Sequence, residues 1–134
     1  MRLVLDTNVL LAGMATHGLC EALLTLCFRD HTIVLSEHIL SEFVEHYVGK
    51  FTASQDQAAV VADIIRKHSQ IVVPATLPHT AVADLDDLPV LGTAIAAQAD
   101  CLITGDKELL ELNTYQNIPI VSPRQFYDRI RAGS

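Results

Sequence analysis

Short runs of apolar, mostly β-branched residues alternate along the chain with longer segments whose apolar residues recur at helical spacing. The runs predict five strands: RLVLD (2–6), TIVL (32–35), QIVV (70–73), DCLIT (100–104) and IPIV (118–121). Most of these runs are almost continuously apolar, which is typical of strands buried on both faces. The segments between them predict helices at about 18–29, 36–49, 54–68, 87–99, 106–112 and 123–131.

This alternation of strands and helices predicts a mainly parallel sheet with helices on both faces. The expected fold class is therefore α/β, with three layers in which a central five-stranded sheet lies between helices. Some boundaries have a chemical reason. Ser36, Ser54 and Ser122 stand where a side-chain oxygen can cap a helix, and Gly49 stands where the second predicted helix should end.

The length of 134 residues, half of them hydrophobic, is enough for one core and too short for two. No repeat, linker or low-complexity segment interrupts the chain, so residues 1–134 are expected to form a single domain. No apolar run approaches the roughly 20 residues of a membrane-spanning helix, and Asp6 interrupts the N-terminal apolar run too early for a signal peptide. We therefore expect a cytoplasmic protein with no membrane partner.

The net charge of −7 is unusual for a protein that binds nucleic acid, because a basic surface normally meets the phosphates. The one local concentration of basic residues is Arg124, Arg129 and Arg131 near the C-terminus. Phosphate binding would therefore need grouped basic residues, or positive charge from metal ions and a partner.

Two aspartates directly follow predicted strands. Asp6 ends the first strand, in LVLDTN, and Asp106 follows the fourth, in CLITGD. Ligand sites of open parallel sheets lie beyond the carboxyl ends of the strands, so these side chains can meet although 100 residues separate them. Neighbouring carboxylates repel each other unless a cation neutralises them, and an oxygen-only ligand set suits Mg²⁺ or Mn²⁺. The pattern predicts a divalent-metal site.

Capping is a competing explanation for some of the acids. Asp84, Asp86 and Asp87 stand before a predicted helix, where aspartates cap backbone N–H groups and complement the helix dipole. The same explanation applies to Asp106, ahead of KELLEL. Asp6 fits it less well, because an acid that ends a buried strand is costly without a partner.

Four segments together resemble the PIN domains, and most closely the toxin components of toxin–antitoxin modules, which are kin to VapC-type ribonucleases. They are LDTNVLLAG (5–13), LSEHILSEF (35–43), DLDDLPVLGTAIAAQADCLITGDKELL (84–110) and IPIVSPRQFYDRI (118–130). The resemblance spans nearly the whole chain. It implies a PIN-like fold and an endoribonuclease that cuts single-stranded RNA with one or two Mg²⁺ or Mn²⁺ ions bound. The RNA partner is expected to be single-stranded or structured. It also implies a homodimer and a small antitoxin protein as partner.

The resemblance further assigns the site residue by residue. The matches to the metal-binding and catalytic acids of the family are Asp6, Glu42, Asp87 and Asp106, and the matches to its supporting polar groups are Asn8 and Thr104. Two assignments have neighbours that compete. Asp86 is an alternative to Asp87, and Glu45 shares the polar side of its helix with Glu42. Only the resemblance separates the members of each pair.

Other functions remain as alternatives. A catalytically inactive PIN-like scaffold would bind RNA or protein without cutting, although the full set of acids argues against it. A haloacid-type phosphatase needs a second aspartate two residues after its nucleophile, and Asn8 stands at that position after Asp6. A receiver domain needs an acid at the end of its third strand, which QIVVP lacks. His38 and His46 lie too far apart on one predicted helix to share an ion directly, and we expect both to be solvated.

Overall fold

The computed structural model describes residues 1–133, so Ser134, the last residue of the predicted domain, lies outside the described residues. Within them the strands are β1 (Arg2–Leu5), β2 (Thr32–Leu35), β3 (Gln70–Ile71), β4 (Cys101–Ile103), β5 (Thr114–Tyr115) and β6 (Ile118–Val121). The helices are α1 (Thr7–Ala15), α2 (Leu19–Asp30), α3 (Glu37–Phe51), α4 (Gln55–Lys67), α5 (Leu88–Ala97), α6 (Lys107–Leu112) and α7 (Pro123–Arg131). Over this range no single helix is long and apolar enough to cross a membrane; only α1 and α2 together pass that test, and a bend of 114° separates them.

The sheet has the strand order β3-β2-β1-β4-β6-β5, and every neighbouring pair except β5 and β6 is parallel. The chain moves outward from β1 through β2 to β3, and then crosses back to place β4 on the other side of β1. Strand order therefore reverses between β1 and β4, which in such sheets opens a crevice at their carboxyl ends. This architecture confirms the predicted α/β fold class, with one strand more than the five expected.

The two sheet edges differ from the prediction. The additional strand β5 has only two residues, too few to give a periodic signal, and it joins β6 through a turn at Gln116 and Asn117, which have φ of 47° and 68°. At the opposite edge β3 covers residues 70–71 and not 70–73. The Val72 N–H still donates a 2.9 Å hydrogen bond to the carbonyl of Leu35, but Val73, which precedes Pro74, is 86% exposed.

Two helices also differ from the prediction. Residues 7–15 were assigned no element, yet α1 begins directly after Asp6, whose side chain accepts a hydrogen bond from the Thr7 N–H. The predicted end of α3 at Gly49 is wrong, since the helix continues to Phe51 and Thr52 takes the left-handed conformation. The apolar stripe of α3 extends two residues past the glycine to Phe51, whose ring lies 4.5 Å from that of Tyr47. The predicted caps are present at Ser36, Ser54 and Ser122.

Helix α5 packs against β1, β2 and α3, and Gly92 of this helix lies close to the segment after β3. A Cβ atom on Gly92 would lie 2.4 Å from the carbonyl oxygen of Ala75. The N–H of Ala75 also donates a 2.9 Å hydrogen bond to the carbonyl of Gly92. Gly92 therefore lets the segment after β3 pass directly over the middle of α5.

We predict that two glycine-to-alanine substitutions change stability in opposite directions. Gly92→Ala should destabilise the fold by about 1–3 kcal/mol, because the new methyl group meets a backbone oxygen. Gly49→Ala should stabilise it by about 0.5–1 kcal/mol, because Gly49 lies inside a helix with no atom within 4 Å of the added carbon. Urea unfolding of both variants measures the changes. Equal changes in the free energy of unfolding of the two variants would contradict the close contact between Gly92 and the carbonyl oxygen of Ala75.

Candidate functional site

Asp6 lies at the carboxyl end of β1, where its side chain is 7% exposed. One carboxylate oxygen accepts a hydrogen bond from the Thr7 N–H, and the other accepts one from the Thr104 hydroxyl, both at 2.8 Å. Burial raises the pKa of Asp6 above its ordinary value, and these two hydrogen bonds oppose that rise. The negative charges of Glu42 and Asp106 raise it further, which indicates that the three acids lie in one electrostatic environment.

Thr104 and Asn8 connect the end of β1 to the loop after β4. The Thr104 hydroxyl is fully buried, and besides donating to Asp6 it accepts a 3.0 Å hydrogen bond from the N–H of Asp106. Asn8 accepts a 3.0 Å hydrogen bond from the Gly105 N–H through its side-chain oxygen, while its side-chain nitrogen lies 3.5 Å from Asp6 Oδ2. Both residues therefore lie where the sequence placed them, in contact with the predicted acids.

Asp106 caps α6 and also lines the acidic pocket, so the structure excludes neither of the explanations that the sequence leaves open. Its Oδ1 caps α6 by accepting hydrogen bonds from the N–H groups of Glu108 and Leu109, at 2.8 and 3.3 Å. The same carboxylate lines the pocket that contains Asp6. Capping uses only one of its oxygens, so a cap and a site residue are compatible at this position.

Asp87 differs from the other acids before α5 because it is buried, at 8% exposed, and makes no capping hydrogen bond. Asp84 accepts the N–H of Asp86 instead, and Asp86 itself is exposed. The Oδ2 atom of Asp87 is inaccessible and has no hydrogen-bond partner within residues 1–133. Burial raises the pKa of Asp87 to about 7, and repulsion adds to the rise from Asp106, Asp84, Asp6 and Glu108. A buried carboxylate without a donor is costly, so the capping explanation fails for Asp87 and a cation fits this atom.

Glu42 reaches the same pocket from α3. The pocket is lined by eleven residues, among them Asp6, Asn8, Glu42, Asp86, Asp87 and Asp106. Glu45 instead lines a separate pocket with Glu37 and Arg66. The structure thus brings all the sequence-predicted acids to one place and separates Glu42 from Glu45, which helical periodicity could not do.

Two histidines flank Glu42 one helical turn away on either side. The Nε2 atom of His38 is buried and lies 2.5 Å from Oε1 of Glu42, while 33% of the His38 side chain is exposed, so this histidine is only partly solvated. His46 is exposed as expected, but it also lines the acidic pocket. Its Nδ1 lies 2.8 Å from the backbone carbonyl of Glu42. A carbonyl only accepts hydrogen bonds, so in the neutral ring the proton is on Nδ1 and Nε2 is left bare.

Sequence reasoning missed a role for Asp84 and Glu108. One carboxylate oxygen from each lies within 4.8 Å of the other and of an oxygen of Asp87. The sequence leaves capping and a site role open for Asp84, and no sequence pattern singles out Glu108. The signal that could have found Glu108 is its position two residues after Asp106, in the first turn of a helix that starts at the site.

Comparison with known proteins places the chain among characterised folds. The profile of the PIN domain family matches residues 2–108, a range that contains all of these acids. VapBC2 from Rickettsia felis, bound to a DNA fragment from their promoter, is similar with a TM-score of 0.64 and 18% identity over 91% of this chain and 98% of that chain. VapBC-1 from nontypeable Haemophilus influenzae is similar with a TM-score of 0.62 and 15% identity over 92% of this chain and 99% of that chain.

A third similar structure is Mycobacterium tuberculosis VapC20, a sarcin-ricin loop cleaving toxin. Its TM-score is 0.60 at 13% identity, over 87% of this chain and 98% of that chain. At such identities the likeness of all three shows a shared fold. No curated protein sequence matches the chain significantly.

We predict that Asp87→Asn changes how stability depends on pH. The folded state raises the pKa of Asp87 from 3.8 to about 7, so folded chains bind more protons than unfolded chains between those values. The contribution of the neutral Asp87 carboxyl to the free energy of unfolding is therefore fully present below about pH 4, and it is lost as the pH rises through 7. In EDTA, the stability of Asp87→Asn relative to wild type should be greater at pH 8 than at pH 5.

Urea unfolding at the two pH values measures this difference, and Asp86→Asn is the matched control. The exposed Asp86 should show no comparable gain between pH 5 and pH 8. A difference between wild type and Asp87→Asn that stays constant with pH would contradict a strongly raised pKa at Asp87.

Proposed function

Because the chain belongs to the PIN domain family, we propose that it is a divalent-metal-dependent endoribonuclease that cuts single-stranded RNA, acting as the toxin of a toxin–antitoxin pair. The observation that carries the proposal is the buried, unpartnered carboxylate oxygen of Asp87. Asp87 lines a pocket of acids at the point where strand order reverses, which is the usual ligand position of such sheets.

The residues that would hold the cation are Asp6, Glu42, Asp87 and Asp106. Their donor set is carboxylate oxygen only, which suits Mg²⁺ or Mn²⁺ and does not suit zinc or copper. The unpartnered Oδ2 of Asp87 supports this fit, because a bound cation would compensate its burial. When bound, the ion supplies Lewis-acid activation of a water molecule and neutralises charge on the phosphate.

The chain itself supplies positioning. Thr104 holds Asp6 by one hydrogen bond and the backbone of Asp106 by another, and Asn8 holds the loop between them at Gly105. Such groups lower the barrier because the acids are already ordered when substrate arrives. Thr104 and Asn8 are therefore proposed as positioning residues, whereas the four acids contact the cation.

The proteins with similar structures support RNA and a small antitoxin protein as the proposed partners, and the net charge of the chain limits how RNA can bind. A net charge of −7 disfavours RNA phosphates unless cations or a second protein compensate it. Two of the similar structures are VapBC assemblies, which supports a small antitoxin protein as partner here. The third cleaves the sarcin-ricin loop, which supports RNA as the substrate class. We include in the proposal a homodimer that acts in the cytoplasm.

The first test of this function is cleavage of single-stranded RNA by the purified protein. We expect cleavage with Mg²⁺ or Mn²⁺, none in EDTA, and a loss of at least about 100-fold in Asp6→Asn, because charge stabilisation fails when a ligand is removed. Products separated on a denaturing gel give the rates. Cleavage that persists both in EDTA and in Asp6→Asn would contradict the metal-dependent mechanism. A folded protein that binds the metal ion but does not cut RNA would favour the inactive scaffold.

The second test separates the two glutamates of α3. Glu42→Gln should lose most of the cleavage rate, about 100-fold, because its carboxylate lines the acidic pocket. Glu45→Gln is the matched control, and it should remain within about two-fold of wild type because Glu45 lines a different pocket. Single-turnover rates measure both. Equal losses would remove Glu42 from its proposed role.

A further inference from the structure

Helix α7 carries basic residues that the acidic pocket does not use. It contains Arg124, Arg129 and Arg131 against one acid, Asp128, so the helix has a local charge of +2 and the rest of the chain a charge of −9. The ion pairs within residues 1–133 involve none of these arginines. A strongly acidic chain therefore concentrates guanidinium groups without an acidic partner on one helix.

Two of these arginines form a stripe with an aromatic ring. Arg124, Tyr127 and Arg131 are spaced i, i+3 and i+7, which places them on one face of the helix, and we call them the α7 stripe. The guanidinium carbons of Arg124 and Arg131 lie 5.8 and 5.6 Å from the centre of the Tyr127 ring. Phe126 is fully buried, whereas both arginines are exposed. The stripe thus presents two ordered cations to solvent, which reduces the entropy cost of binding a partner.

The α7 stripe begins at the same edge of the sheet as the acidic pocket. Helix α7 follows β6, which is parallel to β4 and about 5 Å from it, so both strands end at that edge. The Thr104 N–H donates a 2.9 Å hydrogen bond to the carbonyl of Val121, two residues before α7. Arg129 contacts Cys101, the first residue of β4, at 3.4 Å, so the helix runs toward the opposite edge. The stripe therefore leads away from the pocket over about 10 Å of helix.

The side chains of the stripe suit a phosphate backbone whose bases are unpaired. Guanidinium groups bind phosphate oxygens through paired hydrogen bonds, and their flat faces stack on bases. Bases are free to stack in this way on a single strand, whereas a duplex hides them. An acidic peptide would match only the charge of the stripe, so a single strand of RNA is the partner that fits both features.

We propose that the α7 stripe binds the phosphate backbone of single-stranded RNA beside the acidic pocket. The inference rests on the proposed function for the class of substrate, and it adds Arg124, Tyr127 and Arg131 as binding residues outside the pocket. It also explains how a chain of net charge −7 can hold a polyanion, because the positive charge is concentrated where the strand lies.

The test is a titration of a short, fluorescently labelled single-stranded RNA, followed by anisotropy in EDTA so that metal ions at the pocket do not contribute. The double variant Arg124→Gln with Arg131→Gln should bind at least about 10-fold more weakly than wild type. The slope of log affinity against log salt should become shallower by about 1.4, because each phosphate contact on a single strand contributes about 0.7. Each single substitution should change the slope by about half as much. Circular dichroism checks that the variants are folded.

The matched control removes the same charge from other helices. Lys50→Gln with Lys67→Gln takes away two exposed positive charges, in the last turns of α3 and α4. This control should leave the slope within about 0.5 of wild type, because neither lysine belongs to the stripe. Equal losses in the two double variants would show that net charge alone governs binding and would overturn the stripe.

The outcomes separate this inference from the proposed ribonuclease. RNA binding that depends on Arg124 and Arg131, in a protein that never cuts RNA, would support the stripe and remove the ribonuclease. Cleavage in the presence of Mg²⁺ or Mn²⁺ by a protein whose RNA affinity is unchanged in the double variant would overturn the stripe and keep the ribonuclease. A wild type that binds no RNA in EDTA would also overturn the stripe. Sedimentation tests the other occupant, because an oligomer that dissociates in the double variant would assign this face to a second copy and overturn the RNA assignment.

Discussion

The buried hydroxyl of Thr104 is the contact on which the candidate site depends. It donates to Asp6 at the end of β1 and accepts from the backbone of Asp106 after β4, so one oxygen atom orders acids from two strands. The contact is possible because the chain crosses back after β3 and places β4 beside β1, on the side opposite β2. The strand order of the sheet thus determines which acids can meet in the pocket.

The structure keeps these acids close together at a cost in stability. Asp87 is buried without a hydrogen-bond donor, and several carboxylates raise its pKa. The compensating stability comes from the layer beneath, where Leu3, Val4 and Leu5 of β1 are fully buried. Natural folds keep buried, unpaired charges mainly at functional sites, where a ligand can compensate them. The acidic pocket of this chain holds such a group in Asp87.

Features with a local signal were predictable from the sequence, and features set by distant contacts were not. Ser54 and Ser122 cap helices as expected because capping depends on the next three residues. Glu42 and Glu45 share a helix face, and only packing against other elements decides which one meets Asp6. Glu108 acquires its neighbours through the turn before α5, about 20 residues earlier in the chain, which no local pattern records.

The separation of the acids along the chain has a consequence for synthesis. The β1–β4 pairing joins residues nearly 100 positions apart, and such long-range contacts form only when both partners are available. A nascent chain on the ribosome therefore has no assembled pocket until the segment at Asp106 has left the exit tunnel. Any chemistry of the pocket is therefore withheld from the ribosome until that segment emerges, because Asp6 cannot meet Asp106 before then.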